Sequence, residues 1–177
     1  MVNKIIAFIT RKHTTKYYWT IRKKAASSNV FIRYLNRYKH QKLMEKFNAN
    51  IPLSSKIEGM PTFPHGLNGI FISAGASIGK NCTIFHQVTI GSNTLMDSDG
   101  QGCPTIGDNV YIGCGAKIIG GVHIGNNVRI GANCVVVRDV PDNCTVVLEK
   151  PRIIQKEGVV SNEFINIYEY KKKTENT

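Results

Sequence analysis

The sequence predicts an all-β parallel β-helix that follows a short helical N-terminal arm. A branched aliphatic recurs every six residues, usually with glycine directly after it. Helices repeat near 3.6 residues and strands near two, so neither gives a strict six. In a β-helix each hexad supplies one strand and one turn, and three hexads close a coil. We expect the glycine to form a turn that needs a positive φ. The repeated aliphatics are Ile72, Ile78, Ile84, Ile90, Ile106, Ile112, Ile118, Ile124, Ile130 and Val136.

Residues 1–50 form the predicted arm, with two helical pieces, the second running from after Ser27–Ser28 to about Phe47. This segment holds 12 of the 23 basic residues and a single acid, Glu45. It therefore accounts for the whole net charge of +11, and the remainder of the chain is neutral. The arm carries no nucleic-acid-binding signature, so we expect no nucleic-acid partner.

The second predicted helix carries an aromatic stripe formed by Phe31, Tyr34, Leu35 and Tyr38. Two interpretations stay open. In the favoured one, the stripe packs on the β-helix or on a neighbouring subunit while the basic residues are solvated. In the other, the helix lies on an anionic membrane surface.

The β-helix is expected over residues 51–153, because Ile51, Ile57 and Phe63 extend the six-residue step toward the N-terminus. Two breaks interrupt it. Three extra residues follow Phe63, and ten extra residues between Ile90 and Ile106 predict an extruded polar loop at 92–104. Residues 154–177 are expected to form a C-terminal tail.

Cysteine use and hydropathy indicate the compartment. The five cysteines show no disulfide pattern, and Cys82 and Cys134 occupy the small-residue position of the repeat, which predicts buried thiols. The apolar run Ile5–Ile9 is too short for a signal sequence, and no run reaches membrane-spanning length. We expect a cytoplasmic protein, with the inner face of the membrane as a candidate peripheral location.

Two histidines are the candidate catalytic residues. His65 lies two residues after Phe63, and His86 lies two after Ile84. Both aliphatics are third in their triplets, so the imidazoles should share a corner of adjacent coils, roughly 5 Å apart. Imidazole is a suitable general base for deprotonating a hydroxyl. The alternative is a pair of solvated turn residues. Because both histidines flank the breaks, we expect the loop on the same corner.

A metal site is not expected. His123 directly precedes Ile124 at an outward position, and no second histidine lies near it in the sequence. A histidine-based zinc site needs three or four ligands brought together. We therefore predict His123 to be a surface residue.

The segments HGLNGIFISAGASIGKNCTIFHQVTIGSN and PTIGDNVYIGCGAKIIGGVHIGNNVRIGANCVVVRDVPDNCTVV resemble the hexapeptide-repeat acyltransferases of the serine acetyltransferase type. The resemblance implies a left-handed β-helix, a homotrimer with active sites between subunits, and acetyl-CoA as co-substrate. It also implies a histidine that deprotonates the acceptor hydroxyl for direct attack on the thioester. His65 matches the position of that histidine.

Several positions depart from the serine-specific members. Pro64 replaces an aspartate before the histidine, Cys103 replaces a second histidine, and His86 replaces a glutamine. The short basic arm replaces a large acidic helical domain. With these departures the chain more closely resembles sugar and capsular polysaccharide O-acetyltransferases of the same superfamily.

The resemblance also suggests where acetyl-CoA binds. Backbone amides near Ser92, Gly113, Gly115 and Ala116 would line the pantetheine groove and polarise the thioester carbonyl. The candidates for the CoA phosphates are Arg138, Lys150 and Arg152.

Three functions are carried forward. The first is acetyl-CoA-dependent O-acetylation of a sugar or glycan hydroxyl, of the capsule or exopolysaccharide type, with His65 as base and His86 assisting. The second is serine O-acetylation by the same chemistry. The third is a non-catalytic β-helix that serves as an interaction module.

Overall fold

The computed structural model describes residues 14–159 and 161–162, so the beginning of the arm, including Ile5–Ile9, and most of the tail lie outside the described residues. The described chain is a left-handed β-helix with a short helical N-terminal arm, which confirms the predicted fold. The strands are β1 (Lys56–Ile57), β2 (Phe71–Ile72), β3 (Ser77–Ile78), β4 (Thr83–Ile84), β5 (Thr89–Gly91), β6 (Thr105–Ile106), β7 (Tyr111–Ile112), β8 (Lys117–Ile119), β9 (His123–Ile124), β10 (Arg129–Ile130), β11 (Val135–Val136) and β12 (Thr145–Val146).

Three parallel sheets form the faces of the prism. The first face contains β2, β5, β8 and β11, the second β1, β3, β6 and β9, and the third β4, β7, β10 and β12. The chain visits the first, second and third faces in turn within each coil. Isolated bridges from Asn50 to Phe71 and from Thr62 to Thr83 add a coil before β2.

The core is a stack of the repeated aliphatics. Ile72 pairs in register with Ile90, Ile90 with Ile118, and Ile118 with Val136. These side chains are almost completely buried, as are the thiols of Cys82 and Cys134, as predicted. Burial of each such aliphatic contributes about 1.5–3 kcal/mol, and this burial sets the register of the coils.

Asparagine, rather than the repeated glycine, forms most of the positive-φ turns. The third residue after the aliphatic has a φ between 54° and 61° at Asn81, Gln87, Asn109, Asn127, Asn133 and Asn143. None of the glycines that directly follow one of the repeated aliphatics has a positive φ, so that expectation is wrong. These glycines are needed for close approach: a Cβ at Gly107 would lie 2.8 Å from Asn126 Oδ1 and 2.9 Å from the Gly125 carbonyl carbon of the next coil.

An asparagine ladder runs along the corner between the second and third faces. Asn81 Nδ2 donates to Asn109 Oδ1, Asn109 Nδ2 to Asn127 Oδ1, and Asn127 Nδ2 to Asn143 Oδ1, each at 2.9 Å. The left-handed conformation is costly for most L-residues but accessible to asparagine. The ladder therefore supports the turns while tying four coils together.

The arm contains helix α1, described from residue 14 to residue 24, and helix α2 (Val30–Lys46). Asn29 caps α2, and its side chain accepts a hydrogen bond from the Ile32 amide. Tyr18 and Ile21 of α1 and Leu43 of α2 join the hydrophobic core of the β-helix. The arm thus covers the N-terminal end of the coil stack. Within the described residues, no helix combines the length and apolar character needed to cross a bilayer.

The aromatic stripe of α2 faces away from the β-helix. Phe31 is 76% exposed, Tyr34 63% and Tyr38 60%, and the buried residues of α2 include Asn36 and His40 instead. Docking of the stripe on the β-helix of the same chain is therefore wrong. The physical reason is that its opposite face supplies Leu43 and Met44 to the core, and both faces cannot pack on one surface.

Candidate active site

The imidazoles of His65 and His86 meet at the corner between the third and first faces. His65 follows the strand-like residue Thr62, and His86 follows β4, one coil further along. Their Nδ1 atoms are 2.7 Å apart and their ring centroids 4.7 Å. The proximity predicted from three hexads per coil is therefore observed.

Aromatic side chains and backbone hydrogen bonds hold this pair. The His65 ring meets Phe85 edge-to-face at 5.2 Å, and Phe85 packs on Tyr111 at 5.0 Å. Asn68 Nδ2 donates to the His65 carbonyl at 2.8 Å, and the Gly115 amide donates to the His86 carbonyl at 3.0 Å. Sequence reasoning missed Phe85 and Tyr111, although an aromatic beside His86 and another one coil later were available as a signal.

The hydrogen bond between the two rings defines what the pair can do. When both rings are neutral, one Nδ1 carries the proton and the other accepts it. The donor ring then has an unprotonated Nε2, and the acceptor ring has an Nε2–H. The pair therefore presents one basic nitrogen and one hydrogen-bond donor to a ligand.

Within the described residues, the imidazoles are hydrogen-bonded only to each other, and neither forms an ion pair with an aspartate or glutamate. Pro64, which directly precedes His65, cannot supply a carboxylate. The hydrogen bond between the two rings therefore fixes how each imidazole is oriented relative to the other. His123 lies exposed at the start of β9, as predicted.

Three of the backbone amides predicted to line the pantetheine groove already donate hydrogen bonds within the β-helix. Gly113 N–H donates to the Ile130 carbonyl at 2.8 Å, Gly115 N–H to His86, and Ala116 N–H to Gly113 at 3.2 Å. These amides cannot polarise a thioester carbonyl without breaking the coil. Ser92 differs, because it is exposed and its amide makes no hydrogen bond to another described residue.

The candidate phosphate ligands Arg138, Lys150 and Arg152 are all exposed and lie in the C-terminal part of the described chain. No contact joins them to His65 or to His86. The structure therefore leaves them as separate surface cations.

The extruded loop leaves from a different corner. It follows β5 on the first face and returns before β6, so it projects between the first and second faces. The backbone amides of Asn93 and Gly102 each donate a hydrogen bond to the other residue's carbonyl at 2.9 Å. Ser73 Oγ contacts Cys103 Sγ at 3.6 Å. A cavity of about 460 Å³ beside the loop is lined by Ser73 and Ser92. The expectation that loop and histidines share one corner is wrong, because the loop follows the first strand of its coil and the histidines follow the third.

Comparisons with known proteins agree with this architecture. Residues 103–138 match the family of the bacterial transferase hexapeptide (six repeats). The serine acetyltransferase of Synechococcus elongatus is 45% identical over 95 residues, covering 54% of this chain and 38% of the relative. That of Helicobacter pylori is 41% identical over 93 residues, covering 52% of this chain and 53% of the relative. The chain thus spans between about two fifths and about half of the relatives' length.

Solved structures show the same likeness. Serine acetyltransferase isoform 3 of Entamoeba histolytica, in complex with cysteine, aligns with a TM-score of 0.64 and 31% identity, covering 81% of this chain and 51% of that one. The Neisseria gonorrhoeae serine acetyltransferase, in complex with serine, aligns with a TM-score of 0.56 and 35% identity, covering 67% and 48%.

These relatives overturn one expectation. The closer resemblance to sugar and capsular polysaccharide O-acetyltransferases, and with it a sugar or glycan acceptor, is wrong, because the relatives found by sequence and by structure are serine acetyltransferases. The described chain is a hexapeptide-repeat β-helix that is similar to those of serine acetyltransferases.

Proposed function

We propose that this protein is an acetyl-CoA-dependent O-acetyltransferase whose acceptor is the hydroxyl of serine. The observation that carries the proposal is the hydrogen-bonded pair of His65 and His86 at an open corner of the β-helix. The likeness to serine acetyltransferases supports the choice of serine as acceptor. An exposed imidazole with an unprotonated Nε2 is the group that this chemistry requires.

In the proposed mechanism His65 is the base and His86 positions it. The Nδ1–H of His65 donates a hydrogen bond to His86 Nδ1, and this tautomer leaves His65 Nε2 unprotonated and able to take the hydroxyl proton of the acceptor. The acceptor oxygen attacks the thioester carbonyl carbon, and the resulting tetrahedral intermediate collapses by breaking the carbon–sulfur bond. The proton on His65 Nε2 then passes to the departing thiolate, so the imidazole pair ends as it began.

Ser92 is the proposed contact for the reacting acetyl group or for the pantetheine. Its unpartnered amide and hydroxyl lie beside the cavity of the first face. We assign the CoA phosphates to Arg138, Lys150 and Arg152, whose exposed cationic groups can form charge-assisted hydrogen bonds. Gly113, Gly115 and Ala116 would then shape the groove without donating to the ligand.

A homotrimer is the proposed assembly. In one chain the loop cavity and the histidine pair lie on opposite edges of the first face, so one chain alone does not bring Ser92 to His65. Packing of neighbouring β-helices side by side would place the loop of one subunit near the histidines of the next. Sedimentation equilibrium tests this proposal, with an expected mass three times the 19.7 kDa of one chain.

The activity test measures release of free CoA from acetyl-CoA with L-serine, L-homoserine or a monosaccharide as acceptor. The expected result is turnover with L-serine that exceeds turnover with the monosaccharide. If none of the tested acceptors is acetylated and calorimetry detects no binding of acetyl-CoA, the non-catalytic interaction module is favoured instead.

Contact of the arm with an anionic membrane stays a prediction. The exposed stripe of α2 is accompanied by Lys39, Lys42 and Lys46, and such a surface suits anionic lipid. Co-sedimentation with vesicles of anionic and of neutral lipid tests it, with binding expected only to the anionic vesicles. Residence in the cytoplasm also stays a prediction.

A further inference from the structure

A second cavity, of about 670 Å³, lies between the two arm helices and the first coil. It is separate from the histidine corner and is distinct from the loop cavity, although it shares Asn50 and Pro52 with the latter. Its polar lining comes from α1, α2 and the chain segment before β1. These lining residues are Arg22, Arg37, His40, Gln41, Asn50 and Ser54.

The cavity carries positive charge that no described acid neutralises. Arg22 donates hydrogen bonds to the carbonyls of Pro52, Leu53 and Ser55, all of which are neutral acceptors. Arg37 makes no hydrogen bond or ion pair with any described residue. No aspartate or glutamate is among the residues that line the cavity. Two guanidinium groups therefore face one space without a counter-charge.

His40 is the second unusual feature of this lining. The residue is 7% exposed, and its Nε2 is buried without a hydrogen-bond partner. Burial and the nearby Arg22 cation both lower the pKa of His40 below its usual 6.5. A buried polar atom without a partner costs free energy, so such atoms usually indicate a missing ligand or water.

We propose that this cavity binds a small oxyanion, a phosphate or a carboxylate group of a soluble ligand, with Arg37 as its principal cationic contact. Guanidinium groups bind both anions in a two-pronged, charge-assisted geometry. The side chains of Gln41, Asn50 and Ser54 supply further donors at the same lining. The site stands independently of the acetyltransferase proposal, because none of its residues contacts the histidine pair.

Inorganic phosphate is the first probe, titrated into the full chain by calorimetry, with sodium chloride at matched ionic strength as the reference. Malonate is titrated separately to distinguish a carboxylate ligand from a phosphate ligand. CoA is titrated as well, to distinguish phosphate binding at this cavity from phosphate binding at the proposed cofactor groove. The expected result is saturable binding of phosphate or malonate that chloride does not reproduce.

Two matched substitutions on α2, each removing one positive charge, test whether the anion binds in this cavity. Arg37→Gln removes the unpartnered guanidinium without removing a hydrogen bond, and we expect it to weaken binding at least tenfold. Lys39→Gln removes one exposed charge from the same helix but does not line the cavity, so binding should stay within twofold. Arg22 is unsuitable as the test residue, because its loss would also remove its hydrogen bonds to the carbonyls of the first coil.

Three outcomes would overturn the proposal: binding no stronger than with chloride, equal losses in both variants, or binding of CoA alone that Arg37→Gln leaves unchanged. Thermal unfolding of each variant in the absence of anion accompanies the titrations. A variant that unfolds at the wild-type temperature yet loses binding supports the assignment of Arg37.

Discussion

The Nδ1 atoms of His65 and His86 lie 2.7 Å apart, so one ring fixes the protonation of the other. Neither ring has a carboxylate partner within the described chain. Each ring is therefore oriented by the other imidazole, which can act as donor or acceptor at Nδ1. The catalytic proposal depends on this pair and leads to the first prediction.

His65→Ala is expected to lower kcat about 10²–10⁴-fold, the usual range for removing a general base. His86→Ala should lower kcat less and leave KM for acetyl-CoA unchanged, since it acts through His65. The double variant should be no slower than His65→Ala, because the two residues act as a unit. Steady-state CoA release measures all three.

His123→Ala is the matched control, because His123 is exposed on the outer side of β9. It should retain wild-type turnover. Full activity in His65→Ala, or additive losses in the double variant, would contradict the assigned roles.

The docking of the arm should weaken in acid because of His40. Its pKa is lowered in the folded chain by burial and then by the Arg22 cation, while Tyr18 also faces its ring at 6.0 Å. The unfolded arm therefore binds a proton more readily than the folded one. Above about pH 6.5 both forms are neutral at this site, and stability is lost as the pH falls below that value.

Fluorescence of Trp19, the single tryptophan, reports on the arm during urea unfolding. The measurement compares wild type with His40→Gln at pH 7.5 and at pH 5.5. A smaller loss on acidification is expected for the variant, since it removes this titration. An identical pH dependence in both proteins would show that His40 does not control the arm.

Asn127 lies in the middle of the asparagine ladder with a φ of 58°. Asn127→Gly keeps the turn conformation but loses two exposed hydrogen bonds, at about 0.5–1.5 kcal/mol each. Asn127→Ala loses the same bonds and also adds left-handed strain of about 1–2 kcal/mol. In urea unfolding, the free energy of unfolding should be highest for the wild type, lower for the glycine variant and lowest for the alanine variant. Equal stability of the two variants would show that the turn conformation is not a constraint.

Gly107→Ala should destabilise the β-helix through close contact with the next coil. The new methyl would lie 2.8–2.9 Å from Asn126 Oδ1 and from backbone atoms of Gly125. Overpacking of this kind costs about 1–3 kcal/mol. Gly158→Ala is the control, since a Cβ there meets nothing within 4 Å. Thermal unfolding compares the two variants with the wild type. An equal drop in unfolding temperature for both would contradict the predicted effect of the close contact at Gly107.

The six-residue period was sufficient to predict the coils and the meeting of His65 with His86, because stacking register follows directly from counting hexads. The same counting makes Ile90 the first aliphatic of its triplet, so the corner of the loop was also predictable; the prediction failed because closeness in sequence to His86 does not imply a shared corner. The asparagine turns were missed because close approach between coils, and not turn conformation, is what requires glycine. The exposure of Phe31 and Tyr38 depends on which face of α2 docks, and an amphipathic pattern with apolar residues on two faces does not specify that.

The strand register is unchanged across the extruded loop. Ser77 pairs with Thr105, and Thr105 pairs with His123, in the same alignment that coils without an insertion use. The coil therefore closes at Ile106 whatever the length of the chain that leaves after Gly91. We therefore expect changes of length between Asn93 and Gly102, which pair with each other, to leave the register of the coils unchanged.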